Sequence, residues 1–65
     1  MKTGSFVKIK KHLKAGRDYG DIHVFDDQKE CFGKKGIVTE YDPKENAVKV
    51  FGWWWGVPAV RKVWF

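Results

Sequence analysis

The chain has 65 residues, and its 13 Lys and Arg outnumber its 8 Asp and Glu to give a formal net charge of +5. A chain this short buries roughly 60% of its unfolded surface, which excludes several domains and leaves little room for a catalytic pocket. A lone cysteine excludes an internal disulfide and favours a reducing compartment. The sequence shows no apolar stretch typical of a leader or of a membrane-spanning segment. We therefore expect one cytoplasmic domain over residues 1–65, away from membranes, whose basic balance favours acidic partners.

The first predicted element is a strand over 6–11, in which Val7 and Ile9 share one face and lysines occupy the other. Glycines and aspartates then mark 14–27 as a loop, with a short extended piece at 22–25. Neither segment shows the 3.6-residue period of an amphipathic helix, so the beginning of the chain predicts a β protein.

One helical turn is predicted over 28–32, between an acidic pair and a glycine. Asp26 and Asp27 are suited to cap its N-terminus, because a carboxylate accepts hydrogen bonds from the exposed backbone N–H groups. Glu30 stands three residues after Asp27, which is the spacing of a capping box, and Gly33 ends the turn.

The second half of the chain predicts strands separated by turns. A β-branched strand at 36–41 and a returning strand at 47–51 form a hairpin around the turn 42–46, which aspartate and proline open. Gly52 predicts a bend before the tryptophan run, and 59–65 predicts a last strand whose buried face the sequence leaves undecided. Together these elements predict an all-β domain, a small antiparallel barrel of four to five short strands with one helical turn.

This layout resembles small SH3-like barrels of two kinds. The segment from Gly33 to Val38 and the hairpin after it are similar to the KOW element of ribosomal and transcription-elongation proteins, which supports nucleic-acid or protein contacts. The wider layout resembles short SH3-like proteins of bacteriophages and prophages. The pieces that carry this likeness are Val7 to Ile9, Tyr19-Gly20, Asp26-Asp27, Gly33-Lys34 and Trp53 to Trp55. The resemblance implies an SH3-like fold and does not imply one activity.

Three consecutive tryptophans, Trp53, Trp54 and Trp55, follow Gly52. Successive side chains of a strand point to opposite faces, so Trp53 and Trp55 share one face and Trp54 takes the other. One small core has no room for all three indoles, and an exposed tryptophan is typical of a binding surface. A protein-binding surface is therefore our leading hypothesis, and self-association through an aromatic edge strand is one form of it. Its candidate residues are Trp53, Trp54, Trp55, Trp64 and Tyr19.

Nucleic-acid binding is the alternative hypothesis. Lysines on the first strand and at the corner before the second strand would neutralise phosphates, while exposed rings would stack on bases. The same lysines also suit the solvated face of an amphipathic strand, and interspersed acidic residues dilute the positive stripe. The candidate residues for this hypothesis are Lys8, Lys10, Lys11, Lys34 and Lys35.

Catalytic and metal-binding chemistry is not expected. No nucleophile-elbow, zinc-protease or phosphate-loop motif occurs in the sequence. Cys31 and His23 would form a nucleophile–base pair only if folding brought them together, and no third orienting residue is identifiable. Asp26 and Asp27 are better explained as helix caps than as cation ligands, and two histidines with one cysteine do not complete a zinc site. We therefore predict no cofactor and no metal.

Overall fold

A computed structural model describes residues 2–63 and shows a structure made of short strands, turns and loops. It contains eight β-strands and two 3₁₀ segments. The strands are β1 (Phe6–Ile9), β2 (Asp18–Tyr19), β3 (Ile22–His23), β4 (Lys35–Ile37), β5 (Glu40–Asp42), β6 (Ala47–Val50), β7 (Trp53–Gly56) and β8 (Val60–Lys62). The 3₁₀ segments are η1 (Asp26–Cys31) and η2 (Val57–Ala59). The all-β prediction is confirmed, and no helix among residues 2–63 is long and apolar enough to cross a membrane.

The strands form two antiparallel three-stranded sheets and one separate hairpin. β1 is the centre of the first sheet, between β4 and β8, and β6 is the centre of the second, between β5 and β7. β2 and β3 pair with each other, so the predicted loop at 14–27 contains a hairpin. The structure differs from the predicted barrel in strand number and in closure, because its eight strands pair in three separate groups.

A bend in the chain joins the two sheets. The single strand predicted at 36–41 is corrected to two strands, β4 and β5, which are separated by Val38 and Thr39. The Val38 N–H donates to the Ser5 carbonyl at 2.9 Å, beside the first sheet, whereas the Thr39 N–H donates to the Lys49 carbonyl at 2.9 Å, in the second sheet. Val38 is fully buried. The chain therefore changes sheets at a corner that is anchored in the core.

The hairpin turns follow from the chemistry of their residues. The predicted turn between β5 and β6 is confirmed, and the Asp42 Oδ1 atom accepts a hydrogen bond from the Lys44 N–H at 3.0 Å. Between β6 and β7, Phe51 and Gly52 have φ angles of 57° and 78°, as a two-residue type I′ turn requires. Phe51 thus leaves the strand in which it was predicted, and Gly52 makes the predicted bend.

Apolar side chains from both sheets form one core. The inward positions predicted for the first strand and the returning strand are confirmed, since Val7, Ile9, Val48 and Val50 are fully buried. Trp55 is the largest fully buried side chain, and its indole Nε1–H donates to the Val50 carbonyl at 3.0 Å. A large ring whose polar group is satisfied contributes strongly to the stability of a small core. The remaining members of this core cluster are Leu13, Val38, Ala59 and Val60.

The predicted helical turn exists as η1, but its capping is different. Phe25, with extended backbone, is the N-cap residue, so Asp26 and Asp27 lie inside the first turn and not before it. The cap comes from Gln28, whose Oε1 accepts a hydrogen bond from the Phe25 N–H at 2.8 Å and whose Nε2 donates to the Trp54 carbonyl at 3.3 Å. Gln28 is only 1% exposed. One buried side chain therefore orders this turn and attaches it to β7, which corrects the predicted capping by the acidic pair.

Candidate functional site

Three cations lie side by side on the outer face of the first sheet. In the strand register, Lys8 of β1 is directly opposite Lys35 of β4 on one side and Arg61 of β8 on the other. Neighbouring strands are about 4.8 Å apart, so this cation row crosses the sheet in about 10 Å. Like charges that are directly opposite each other destabilise a sheet. Neither Lys8 nor Arg61 forms an ion pair with any residue from 2 to 63, so no carboxylate in that range offsets the repulsion at these two positions.

An open cavity of about 600 Å³ adjoins the cation row and shares Lys8 and Arg61 with it. The other residues that line the cavity are Lys10, Lys11, His12, Leu13, Tyr19 and Pro58. No acidic residue lines it. The lining of this cationic cavity therefore has a positively charged part and an apolar part, the latter formed by Leu13, Tyr19 and Pro58. Such a surface fits a ligand that carries negative charge beside a flat or apolar group.

Tyr19 is held in place at both its side chain and its backbone. Its hydroxyl oxygen accepts a hydrogen bond from the Lys14 N–H at 2.8 Å. Its backbone carbonyl lies against Gly56 of β7, where any Cβ atom would collide with it, so this close approach requires glycine. Gly20 and Asp21 form a two-residue hairpin loop between Tyr19 and Ile22. The Gly20 φ of 64° suits the first central position of such a loop. The ring is therefore positioned before any ligand arrives.

A second, smaller cleft of about 320 Å³ lies beside β3 and β7. We call it the aromatic cleft, because Phe25, Trp53 and Trp54 line it together with His23. Phe25 is 55% exposed, the most of any large apolar side chain among residues 2–63. The His23 ring packs edge-on against the Phe25 ring with their centroids 4.9 Å apart, while its Nδ1 lies 2.7 Å from Asp18 Oδ1. The cleft thus combines indoles, an exposed phenyl ring and an imidazole.

The three tryptophans divide between the two faces of β7 as the alternation predicts. Trp53 is half-buried against the core, and Trp55 is buried completely within it. Trp54 lies opposite Lys49 of β6, whose Nζ atom is 6.0 Å from the indole centroid. Trp55 is therefore corrected from a candidate binding residue to a core residue, because no partner reaches it while the domain is folded. Trp64, the remaining indole of that candidate set, lies outside the described residues.

The predicted nucleic-acid-binding lysines mostly come together. Three of them line the cationic cavity: Lys8, Lys10 and Lys11. Lys35 joins them through the cation row. Lys34 is exposed but does not line the cavity, and its carbonyl accepts a hydrogen bond from the Ile9 N–H at 2.9 Å. Tyr19, which was predicted as a protein-binding residue, lies with the lysines and not with the tryptophans.

Four residues that line the cavity were not among the predicted site residues: His12, Leu13, Pro58 and Arg61. The outward direction of Arg61 follows from the pairing of Val60 with Ile9, which buries Val60 in the core and turns the next side chain to the outer face. The sequence alone does not show that pairing, because β1 and β8 come from opposite ends of the chain. His12 directly follows the predicted lysines, so proximity in sequence was the available signal.

Cys31, His23 and Asp26 are residues from which a nucleophile–base pair or a cation site would be built. Among residues 2–63, no hydrogen bond joins Cys31 to His23. Burial raises the pKa of the Cys31 thiol above its ordinary value, with Lys34 opposing that shift, so the thiol is not activated as a nucleophile. Asp26 forms an ion pair with Lys29 at 3.3 Å. Within the same range, no group of three or more His, Cys, Asp or Glu is placed to hold a metal ion.

No protein-family model, curated protein or solved structure matches this chain. The resemblance to SH3-like and KOW-like proteins therefore stays a prediction. Among residues 2–63, the predicted binding residues that line a cleft do so on two surfaces: a cationic cavity without carboxylates in its lining, and a smaller aromatic cleft.

Proposed function

We propose that this protein is a non-catalytic module that binds nucleic acid through the cationic cavity and the cation row. The observation that carries this proposal is a cavity of about 600 Å³ whose lining combines four Lys and Arg side chains with Tyr19 and contains no carboxylate. Lysine and arginine neutralise phosphates, and bases stack on aromatic rings. We place this function ahead of protein binding through the tryptophan run, because Trp55 is fully buried in the core, whereas Tyr19 packs against the core and still lines the cavity.

The expected salt dependence follows from the number of cations. The four Lys and Arg that line the cavity and Lys35 of the cation row make five. For a single strand, log K falls against log salt with a slope of about −0.7 per neutralised phosphate, so five contacts give about −3.5. Between about 50 and about 200 mM salt, the affinity should therefore fall about 100-fold.

Fluorescence anisotropy with labelled single- and double-stranded oligonucleotides, at those two salt concentrations, tests the proposal. The double variant Lys8→Gln with Arg61→Gln removes two cations and should make the slope shallower by about 1.4. Lys44→Gln is the matched control, since Lys44 is an exposed lysine in the turn between β5 and β6 and does not line the cavity. The proposal would be contradicted if the wild type showed no salt-dependent binding, or if the control and the double variant lost the same amount of affinity.

A protein partner is the second candidate function, and the aromatic cleft favours it. Phe25 exposes 55% of its surface there, on a backbone that Gln28 holds in place. Exposed rings in a formed cleft are typical anchors of protein interfaces. The supporting result is a partner whose binding persists at high salt and is lost in Phe25→Ser. Ile37→Ser is the control and should keep binding, because Ile37 is 47% exposed but lies outside the cleft. If sedimentation showed concentration-dependent self-association that Phe25→Ser removes and Ile37→Ser keeps, the partner would be a second copy of this chain.

We also propose a cytoplasmic location and an accessory role of the bacteriophage or prophage type. The support is the resemblance of the layout to small phage-type proteins and the presence of a free thiol, Cys31, which suits a reducing compartment. Cell fractionation after expression in a bacterial host checks the location, and recovery in an extracytoplasmic fraction would contradict it.

A further inference from the structure

We infer that the ligand is a single strand whose phosphodiester backbone crosses the cation row and whose base stacks on Tyr19 inside the cationic cavity. This inference rests on the proposed function and makes it specific for the form of the nucleic acid. It depends on three observations: the two-part lining of the cavity, the fixed position of Tyr19, and the continuity between the row and the cavity.

The two-part lining of the cavity does not fit simpler ligands. An inorganic anion needs only charge, yet Leu13, Tyr19 and Pro58 make part of the wall apolar. A duplex keeps its bases paired and stacked, so it presents mainly phosphates to a surface of this kind. A single strand presents unpaired bases, each with a flat π-face and a phosphate on either side. Its chemistry therefore matches both parts of the lining.

The fixed position of Tyr19 makes its ring a pre-formed part of the cavity wall. Its hydroxyl oxygen accepts a hydrogen bond from the Lys14 N–H at 2.8 Å, which holds the end of the side chain and leaves the ring in the lining. Its backbone is held against Gly56, and Pro58 packs beside Gly20 in the adjoining turn. A side chain that is ordered before binding loses little conformational entropy on binding. Tyr19 is thus a pre-organised stacking platform.

The cation row leads directly into the cavity. Lys8 and Arg61 belong to both features, and Lys35 extends the row to the far strand of the sheet. A backbone that follows the row for its length of about 10 Å reaches the cavity without leaving positively charged surface.

The test compares three labelled ligands on the intact protein: a short oligothymidylate, an abasic strand with the same number of phosphates, and a duplex of the same length. The wild type should bind the oligothymidylate about 5- to 150-fold more tightly than the abasic strand, which is the range for one base stacked on an aromatic ring. Tyr19→Leu should abolish that difference, whereas Tyr19→Phe should keep it. Tyr41→Leu is the matched control, since Tyr41 is 38% exposed on the second sheet and outside the cavity.

The outcomes separate this inference from the proposed function. Equal affinity of the wild type for the oligothymidylate and the abasic strand overturns the inference, while salt-dependent binding of both leaves the proposed function standing. Binding of the duplex as tightly as the single strand also overturns it. Polyglutamate is a fourth, competing ligand, and if it binds as tightly as the oligothymidylate, the inference is overturned in favour of an acidic protein partner. Binding of none of the three nucleic acids rejects both. The comparison of ligands on the wild type needs no variant, so it remains decisive even if Tyr19→Leu does not fold.

Discussion

Replacing Lys8 by threonine should raise the stability of the folded protein while it removes the centre of the cation row. Lys8 is directly opposite Lys35 and Arg61 across both neighbouring strands, so the substitution eliminates two like-charge contacts at once. Threonine also has a higher preference for strands than lysine. Most substitutions destabilise a folded domain, so a gain in stability at this position is a distinctive outcome.

The size of the gain is set by the two cross-strand pairs. Such pairs are worth about 0.2–1 kcal/mol each, with an unfavourable sign for like charges, so the two pairs cost about 0.4–2 kcal/mol. Lys8 is half-buried, and loss of its aliphatic stem reduces the gain. A net gain of about 1 kcal/mol corresponds to a rise in Tm of about 4–8 °C for a domain of this size.

Lys49 provides a matched control in the second sheet. It also occupies a central strand and is half-buried, but its directly opposite neighbours are Glu40 and Trp54. Its Nζ atom lies 6.0 Å from the Trp54 ring centroid, so its neighbours favour a cation. Lys49→Thr should therefore lower the Tm, although it removes the same charge and the same stem from the same kind of position.

Thermal unfolding followed by circular dichroism, at about 0.01 M and about 1 M salt, measures both variants. The Debye length falls from about 30 Å to about 3 Å between these conditions, so the gain in Lys8→Thr should shrink at high salt. A Tm below that of the wild type at low salt, or a gain that salt does not change, would refute the repulsion on which this reasoning depends.

Three further predictions concern Gly56, Gln28 and Cys31. Gly56→Ala should destabilise the protein by about 1–3 kcal/mol or more in denaturant unfolding, because its φ of −63° accommodates alanine but the new Cβ collides with the Tyr19 carbonyl. Gln28→Leu should cost about 1–3 kcal/mol in the same assay, because it leaves a backbone N–H and the Trp54 carbonyl without partners. Cys31 should react with iodoacetamide more slowly in the folded protein than in urea, because burial raises the pKa of its thiol. The folded-state pKa of this thiol lies above the ordinary 9.0, so folding favours the neutral form. Its small contribution to the free energy of unfolding is therefore fully present below pH 9 and is lost as the pH rises through the folded-state pKa.

The sequence predicts local elements well where strand alternation and turn chemistry agree. The turn and the returning strand of the β5–β6 hairpin are such a case, because Asp42 and the alternating Val48 and Val50 encode them within a few neighbouring residues. Phe51 shows the limit, since its aromatic ring favours a strand and yet its φ is 57°. The two-residue turn requires this φ, and the Phe51 ring lies over Gly36, where an added Cβ would be 2.7 Å from the Phe51 Cζ atom. The local preference of an aromatic residue for a strand therefore does not hold at this position.

The candidate site is less predictable because strand register assembles it. The sequence shows lysines at Lys8 and Lys35, but only the pairing of β1 with β4 and β8 makes them direct neighbours and adds Arg61. Tyr19 reaches the same surface because Gly56 lets its backbone approach β7, and no local pattern shows that contact. Alternation did predict which tryptophans share a face, but the decision that Trp55 fills the core depends on the volume left by both sheets.

The contrast between the two sheets is an independent argument that the cation row serves binding. Both sheets have a half-buried lysine in the central strand, and register gives Lys49 an acidic and an aromatic neighbour but gives Lys8 two cations. Folding alone favours the first arrangement and not the second. In a complex with a polyanion the balance changes, because each phosphate placed on the row replaces repulsion by attraction. A stabilised Lys8→Thr variant that also loses binding would thus connect the cost of the row in the free protein to its use in the complex. If the stabilised variant instead bound nucleic acid with the wild-type salt slope, the row would play no part in binding.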